Sequence, residues 1–135
     1  GPGFVLGEHG EHQVPVFSKG GCNIEIKTRE EILTKLRSAS MEIIKGKGAT
    51  EYAPVYHIWQ LIASILTDAH RDHICSAILE GEYGVSGCAL GVPVQIGKNG
   101  ILSMYEWELD PWEQEHFQGA AAFVADLCRR NVCEP

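Results

Sequence analysis

Apolar positions change rhythm several times along this chain, and each change marks an expected element. Phe4 to Leu6 run together, as at the end of a buried strand. Val14 and Val16, then Ile24 and Ile26, alternate with polar neighbours around Ser18-Lys19-Gly20-Gly21, which predicts two short strands joined by a turn. Thr28-Arg29-Glu30-Glu31 reads as a capping box, with the Thr28 hydroxyl satisfying a free amide and Glu31 reaching back, so a helix should follow. Ile32, Leu36, Ala39 and Ile43 then share a face with Leu33 and Ile44 beside them, which predicts an amphipathic helix ending at Gly46 or Gly48.

A second helix is predicted from about Thr50 to Thr67, its stripe formed by Val55, Ile58, Leu61, Ile62, Ile65 and Leu66. Pro54 falls in its first turn, where a missing amide costs little. The two helices read equally as one element kinked at Gly46-Lys47-Gly48. After the polar Asp68-Ala69-His70-Arg71-Asp72 break the spacing turns to that of strands, over His73 to Glu82, Cys88 to Ile96 and Ile101 to Leu109. Lys98-Asn99-Gly100 is a good hairpin signal between the last two. Asp110-Pro111-Trp112-Glu113 is a second capping signature, and the helix after it should bury Phe117, Ala120, Ala121, Val124 and Leu127. Short strands, two helices, an antiparallel three-stranded region and a terminal helix make an α+β fold, an antiparallel sheet packed with long helices.

Composition narrows the class of protein. The 135 residues suffice for one domain with its own core, so 1–135 is read as a single domain. Of these, 44% are hydrophobic and 21% charged, the proportions of an ordinary globular protein. A net charge of −7 disfavours nucleic acid and anionic membrane as partners, since neither is attracted to an acidic surface. The longest apolar-rich stretch, Ile58 to Leu66, is far short of a membrane span, and no signal-peptide pattern opens the chain. Cys22, Cys75, Cys88, Cys128 and Cys133 are odd in number and lack Cys-x-x-Cys spacing, which reads as reduced thiols of a cytoplasmic protein, most of them small core residues.

The candidate chemistry lies in Val5-Leu6-Gly7-Glu8-His9-Gly10-Glu11, where one histidine stands between two glycines at the end of an apolar run. An imidazole takes and returns a proton near working pH, and flanking glycines allow a sharp turn and close approach of another molecule. His9 is therefore the candidate general acid/base. Glu8 and Glu11 alternate around the same loop and read as solvated groups or as groups that order the His9 turn. A zinc site built on His9-x-x-His12 or His70-x-x-His73-x-Cys75 is the rival chemistry; neither set offers a four-ligand pattern, and no metal is expected.

The run Gly7 to Ser18, with Gly-Glu-His-Gly-Glu-His-Gln-Val-Pro-Val-Phe-Ser, resembles the active-site histidine segment of the lactate/malate dehydrogenase family. Gly46-Lys47-Gly48-Ala49-Thr50-Glu51-Tyr52-Ala53-Pro54, Glu80-Gly81-Glu82-Tyr83-Gly84, Gly91-Val92-Pro93-Val94 and Gly97-Lys98-Asn99-Gly100 recur in that family's order. The Thr-Glu-Tyr-Ala-Pro wording and Glu106-Trp107-Glu108-Leu109-Asp110 look most like the archaeal, lactate-dehydrogenase-like branch of malate dehydrogenases. Glu11 stands where most members carry aspartate.

The resemblance covers only the C-terminal, substrate-binding half of such an enzyme. It implies that His9 exchanges a proton with a small 2-hydroxy or 2-oxo acid while a hydride moves to or from NAD, with NADP the less common choice. It also implies that Thr50 lines the substrate pocket and that Pro54 contacts the nicotinamide. Read otherwise, Thr50 is a helix cap and Pro54 a helix-start proline. No Gly-x-Gly-x-x-Gly fingerprint follows a strand, so a separate N-terminal dinucleotide-binding half is the expected partner. The family's substrate-holding arginines and the aspartate that orients the histidine would lie in that half, and the chain alone is expected to be inactive. Malate is favoured over lactate, and a homo-oligomer is implied. The opening Gly1-Pro2-Gly3 suits a fragment, a processed product or a cloning scar. A non-catalytic assembly module and a metal-binding protein are the other classes to weigh.

Overall fold

The computed structural model describes residues 3–21, 23–47 and 52–132, the side chains of 39–47, 52–54 and 132 excepted. Strands β1 (Phe4–Gly7) and β2 (Gln13–Val16) form a hairpin, followed by a 3₁₀ turn at Ser18–Gly20. Helices α1 (Ile26–Lys47) and α2 (Tyr52–Leu66) come next, then β3 (Arg71–Glu80), β4 (Ser86–Gly97), β5 (Gly100–Met104) and the terminal helix α3 (Pro111–Val132). All pairings are antiparallel, in the order β2-β1-β4-β3, with β5 also on β4. An antiparallel sheet packed with long helices is the α+β arrangement expected from the pattern.

One face of the sheet makes the core. Leu6, Val14, Leu79, Leu90, Val92 and Val94 are buried there against Phe117 and Ala120 of α3. Phe117 is fully buried and its ring lies 4.7 Å from that of Tyr83. The start of α3 is the expected capping box: the Glu113 amide donates to Asp110 Oδ1 at 3.0 Å, and the Asp110 amide donates to Glu113 Oε2 at 3.1 Å.

Several sequence expectations are corrected. Ile24 and Ile26 do not form a strand, because α1 already begins at Ile26. Thr28 is thus inside the helix and exposed, and not its cap; the Arg29 amide donates to the Glu25 carbonyl four residues back at 3.1 Å, the first helical bond. A buried arginine explains the earlier start: Arg29 pairs with Asp110 and donates Nε to the Ile24 carbonyl at 2.9 Å, tying the helix entry to the start of α3. The strand expected over Ile101 to Leu109 stops at Met104, since the edge of β4 that β5 uses at Val94 to Gly97 is taken by β1 at Gly91. Beyond that point the alternation persists without a ladder, and Trp107 and Leu109 still pack against the core while Glu106 and Glu108 are exposed.

Only part of the α2 stripe meets the core. Leu61 and Ile65 pack against it, whereas Val55, Ile58, Ile62 and Leu66 are exposed along with Tyr56 and Trp59. Likewise Leu127 is exposed at the far end of α3. Of the cysteines, Cys88 is buried, Cys75 half-buried and Cys128 exposed, all as free thiols, so the expectation of mostly core thiols fails at Cys128. Cys22 and Cys133 lie outside the described residues. Among the described residues no helix is long and apolar enough to cross a membrane.

Candidate active site

The site grows from the end of β1. Gly7 pairs with Gln13 to close the β1–β2 hairpin and faces Gly91 of β4 on its other side. Its φ of +89° is a conformation that favours glycine, and a Cβ there would meet the His12 carbonyl at 2.7 Å. Glycine at this position lets the chain turn out of the sheet into the loop Glu8 to His12, and that loop carries His9. The His9 side is exposed and lines a cavity of about 500 Å³.

The loop is held by its own backbone and by Glu8. The Glu8 amide donates to the His12 carbonyl at 3.2 Å, and the Gly10 amide donates to the Glu8 carbonyl at 2.9 Å. The Glu8 carboxylate in turn accepts from the His12 amide at 3.1 Å. The His12 ring stacks on Phe123 of α3, with centroids 4.0 Å apart and planes at 19°. Its buried Nδ1 has no hydrogen-bond partner among the described residues and lies 3.7 Å from Glu8 Oε2. On the other side His12 borders a depression of about 290 Å³ with Arg37, Glu115 and His116.

The cavity beside His9 has a mainly apolar wall, in which Leu36 of α1 and Ile74 of β3 face Val5 of β1. Gln13 and Ser76 add polar groups. A cross-strand row explains the shape: Gly7 pairs with Gly91, which pairs with Ser76 on β3, so two adjacent positions of the sheet carry no side chain and the third a small one. Among the described residues no lysine or arginine lines the cavity and Glu8 is the one carboxylate there, so this lining offers no cation to an anionic ligand. Cys75 also lines the cavity, and burial pushes its thiol pKa up, which keeps it a weak nucleophile.

Not all the sequence-identified groups meet here. Thr50 lies outside the described residues, and of Pro54 only the backbone is described, in the first turn of α2. The two histidine sets weighed as zinc ligands are engaged otherwise. His73 Nε2 lies 2.8 Å from Ser64 Oγ, His70 Nε2 lies 3.1 Å from Asp68 Oδ1, and His12 is stacked on Phe123. Among the described residues no three histidine, cysteine or carboxylate groups converge to hold a metal ion. From sequence Leu36 is read as part of the apolar face of α1 and not as a site residue, and Ile74 and Ser76 are not singled out. The signal that could have found Ser76 is the register through Gly91, which is readable only once the strands are paired.

A more remote network fixes the loop's base. Glu113 is fully buried and accepts from the Phe17 amide at 2.6 Å, the Ser18 amide at 2.9 Å and the Ser18 hydroxyl at 2.6 Å. It therefore clamps the end of the β1–β2 hairpin to α3. Beside it, burial pushes the Asp110 carboxyl upward, but the Glu113 amide and the Arg29 guanidinium outweigh this and hold its pKa below the ordinary aspartate value.

Residues 4–127 match the family model described as lactate/malate dehydrogenase, alpha/beta C-terminal domain. The malate dehydrogenase of Natronomonas pharaonis is 41% identical over 127 residues, covering 90% of this chain and 42% of the relative. That of Haloarcula marismortui is 40% identical over 129 residues, with 92% and 42% covered. Among solved structures, the malate dehydrogenase of Aeropyrum pernix superimposes with a TM-score of 0.83 at 29% identity, over 95% of this chain and 46% of that one. The malate dehydrogenase of Archaeoglobus fulgidus in complex with NADH does so with a TM-score of 0.81 at 27% identity, over 96% and 43%. This chain thus spans about two-fifths of the length of the curated relatives it matches. Its sequence and its backbone agree, and the chain belongs to the lactate/malate dehydrogenase family, within the alpha/beta C-terminal domain.

Proposed function

We propose that this chain is the substrate-side, proton-transferring part of an NAD-dependent malate dehydrogenase, with His9 as the acid/base. The observation that carries the reading is His9 itself, exposed on a tightly held loop at the rim of an apolar cavity, within a chain whose relatives are malate dehydrogenases. NAD as cofactor is supported by the NADH-bound Archaeoglobus fulgidus relative. A cavity of about 500 Å³ fits a small 2-hydroxy acid and the edge of a nicotinamide ring, not a whole dinucleotide. An N-terminal dinucleotide-binding half is accordingly the proposed partner.

Bound NAD supplies the hydride acceptor. The work left to this chain is to take the hydroxyl proton of malate as its C2–H bond breaks, because hydride loss from a neutral alcohol would otherwise leave a protonated carbonyl. His9 receives that proton on a ring nitrogen, and in the reverse direction the imidazolium returns it to the oxygen of oxaloacetate. Leu36, Ile74 and Val5 keep water from the reacting carbon by walling the cavity with hydrocarbon. Thr50 is proposed to line the substrate pocket and Pro54 to abut the nicotinamide, as the family resemblance implies.

The exposed apolar groups of α2, among them Trp59 and Leu66, support a covered state of that helix, by the other half of the enzyme or by a second copy in a homo-oligomer. Free thiols fit a cytoplasmic location, and malate/oxaloacetate interconversion fits carboxylic acid metabolism such as the tricarboxylic acid cycle. The test mixes the purified chain with NADH and oxaloacetate, alone and joined to the part of the Natronomonas pharaonis enzyme that this chain does not cover. Turnover only in the joined protein, and faster with oxaloacetate than pyruvate, is expected. Absence of oxaloacetate turnover in the folded joined protein overturns the reading.

A further inference from the structure

We propose that Glu8 is the positioning residue for His9, a carboxylate latch that closes the loop Glu8 to His12 and that requires glycine at position 10. The inference deepens the proposed function, since it rests on His9 being the acid/base. Four contacts carry it. Glu8 holds residue 12 twice, through its own amide to the His12 carbonyl at 3.2 Å and through its carboxylate from the His12 amide at 3.1 Å. His12 is in turn fixed by stacking on Phe123, so the latch ties His9's loop to α3. A Cβ on Gly10 would stand 2.5 and 2.8 Å from the two Glu8 carboxylate oxygens.

That last contact gives the second glycine of Gly-Glu-His-Gly a reason distinct from the first. Gly7 needs its positive φ, whereas Gly10 is not among the positive-φ glycines, and its backbone suits alanine. What alanine cannot do there is share space with the Glu8 carboxylate. The obstacle is the far end of a flexible side chain, so the carboxylate swings away and the fold survives. Gly10→Ala is therefore a release of the latch that leaves Glu8 in place. His9, carried on the loop between the two latched residues, loses its fixed place beside the cavity.

The experiment compares Gly10→Ala, Glu8→Ala, Glu8→Gln and the Gly10→Ala/Glu8→Ala double variant by amide exchange of His12 in the full 135-residue chain. Each alanine change should lower His12 protection by about tenfold, and the double variant should be no worse than Glu8→Ala alone, because the clash vanishes with the carboxylate. Glu8→Gln, whose carbonyl oxygen accepts the same bond, should keep most of the protection. In the joined enzyme Gly10→Ala should cut kcat by about tenfold with KM little changed, the pattern of a misaimed acid/base. Full His12 protection in Gly10→Ala, additive losses in the double variant, or unchanged kcat in a Gly10→Ala enzyme that His9→Ala inactivates would overturn the latch. Turnover undiminished by His9→Ala would instead sink the acid/base reading, and the positioning role with it.

Discussion

Replacing Glu113 by alanine should be among the most damaging single changes available in this chain, although the residue is remote from His9. Its side chain is fully buried and is the acceptor for the Phe17, Ser18 and Asp110 amides and the Ser18 hydroxyl. The hydroxyl has an alternative in the Glu108 carbonyl, 3.3 Å away, so the cost falls on the three amides. Donors orphaned from a charged acceptor cost about 1–3 kcal/mol each, and relief from holding a buried carboxylate offsets part of the sum. A net loss of about 3 kcal/mol is expected, a large share of the roughly 5–15 kcal/mol that stabilises a domain. Urea unfolding should show it as a midpoint lowered by about 1–2 M at unchanged slope. Glu113→Gln, which keeps an acceptor oxygen but turns an NH2 toward donors, should fall between. An alanine variant that loses less than about 1 kcal/mol would refute the clamp, because water or a shifted turn would then be satisfying those amides equally well.

Further outcomes follow from neighbouring residues. Gly7→Ala should destabilise by about 2–4 kcal/mol, since it adds a Cβ at a φ of +89° and 2.7 Å from a backbone carbonyl; thermal unfolding checks it. Tyr83→Phe should cost about 1–2 kcal/mol in urea, because the buried hydroxyl donates to the Tyr105 carbonyl at 3.0 Å and accepts from the Trp107 amide at 2.9 Å. Asp110 has a lowered native pKa, so its contribution to stability is fully present above the ordinary value of 3.8 and is lost as pH falls through the lower native one. Asp110→Asn should therefore flatten the acid limb of the stability curve below about pH 4, and an unchanged limb would contradict that linkage.

What the sequence made legible, and what it did not, divides along local and non-local lines. The α3 capping box, the Lys98-Asn99 hairpin turn and the strands on either side of it are short-range signals, and each is present, the second strand ending at Met104 instead of Leu109. Ile24 and Ile26 alternated like a strand, but the buried Arg29 engages Ile24 and Asp110, residues 5 and 81 positions away, and that pairing decides the helix start. Periodicity along α2 marked an apolar stripe correctly and could not say which of its residues meet this core, because the remainder are exposed in the chain by itself. At the site, the His9 loop was readable from its two glycines. The reason for Gly10 was not, since it depends on where the Glu8 carboxylate folds back. The cavity wall also escaped, because Gly7, Gly91 and Ser76 become neighbours only through strand register.

The most direct test of His9 as the proton carrier is the rate of oxaloacetate reduction by the joined enzyme with and without His9→Ala. A fall in kcat/KM of about 10²-fold or more is expected, with folding and NADH binding retained. Turnover within a few-fold of the unmodified enzyme would contradict it.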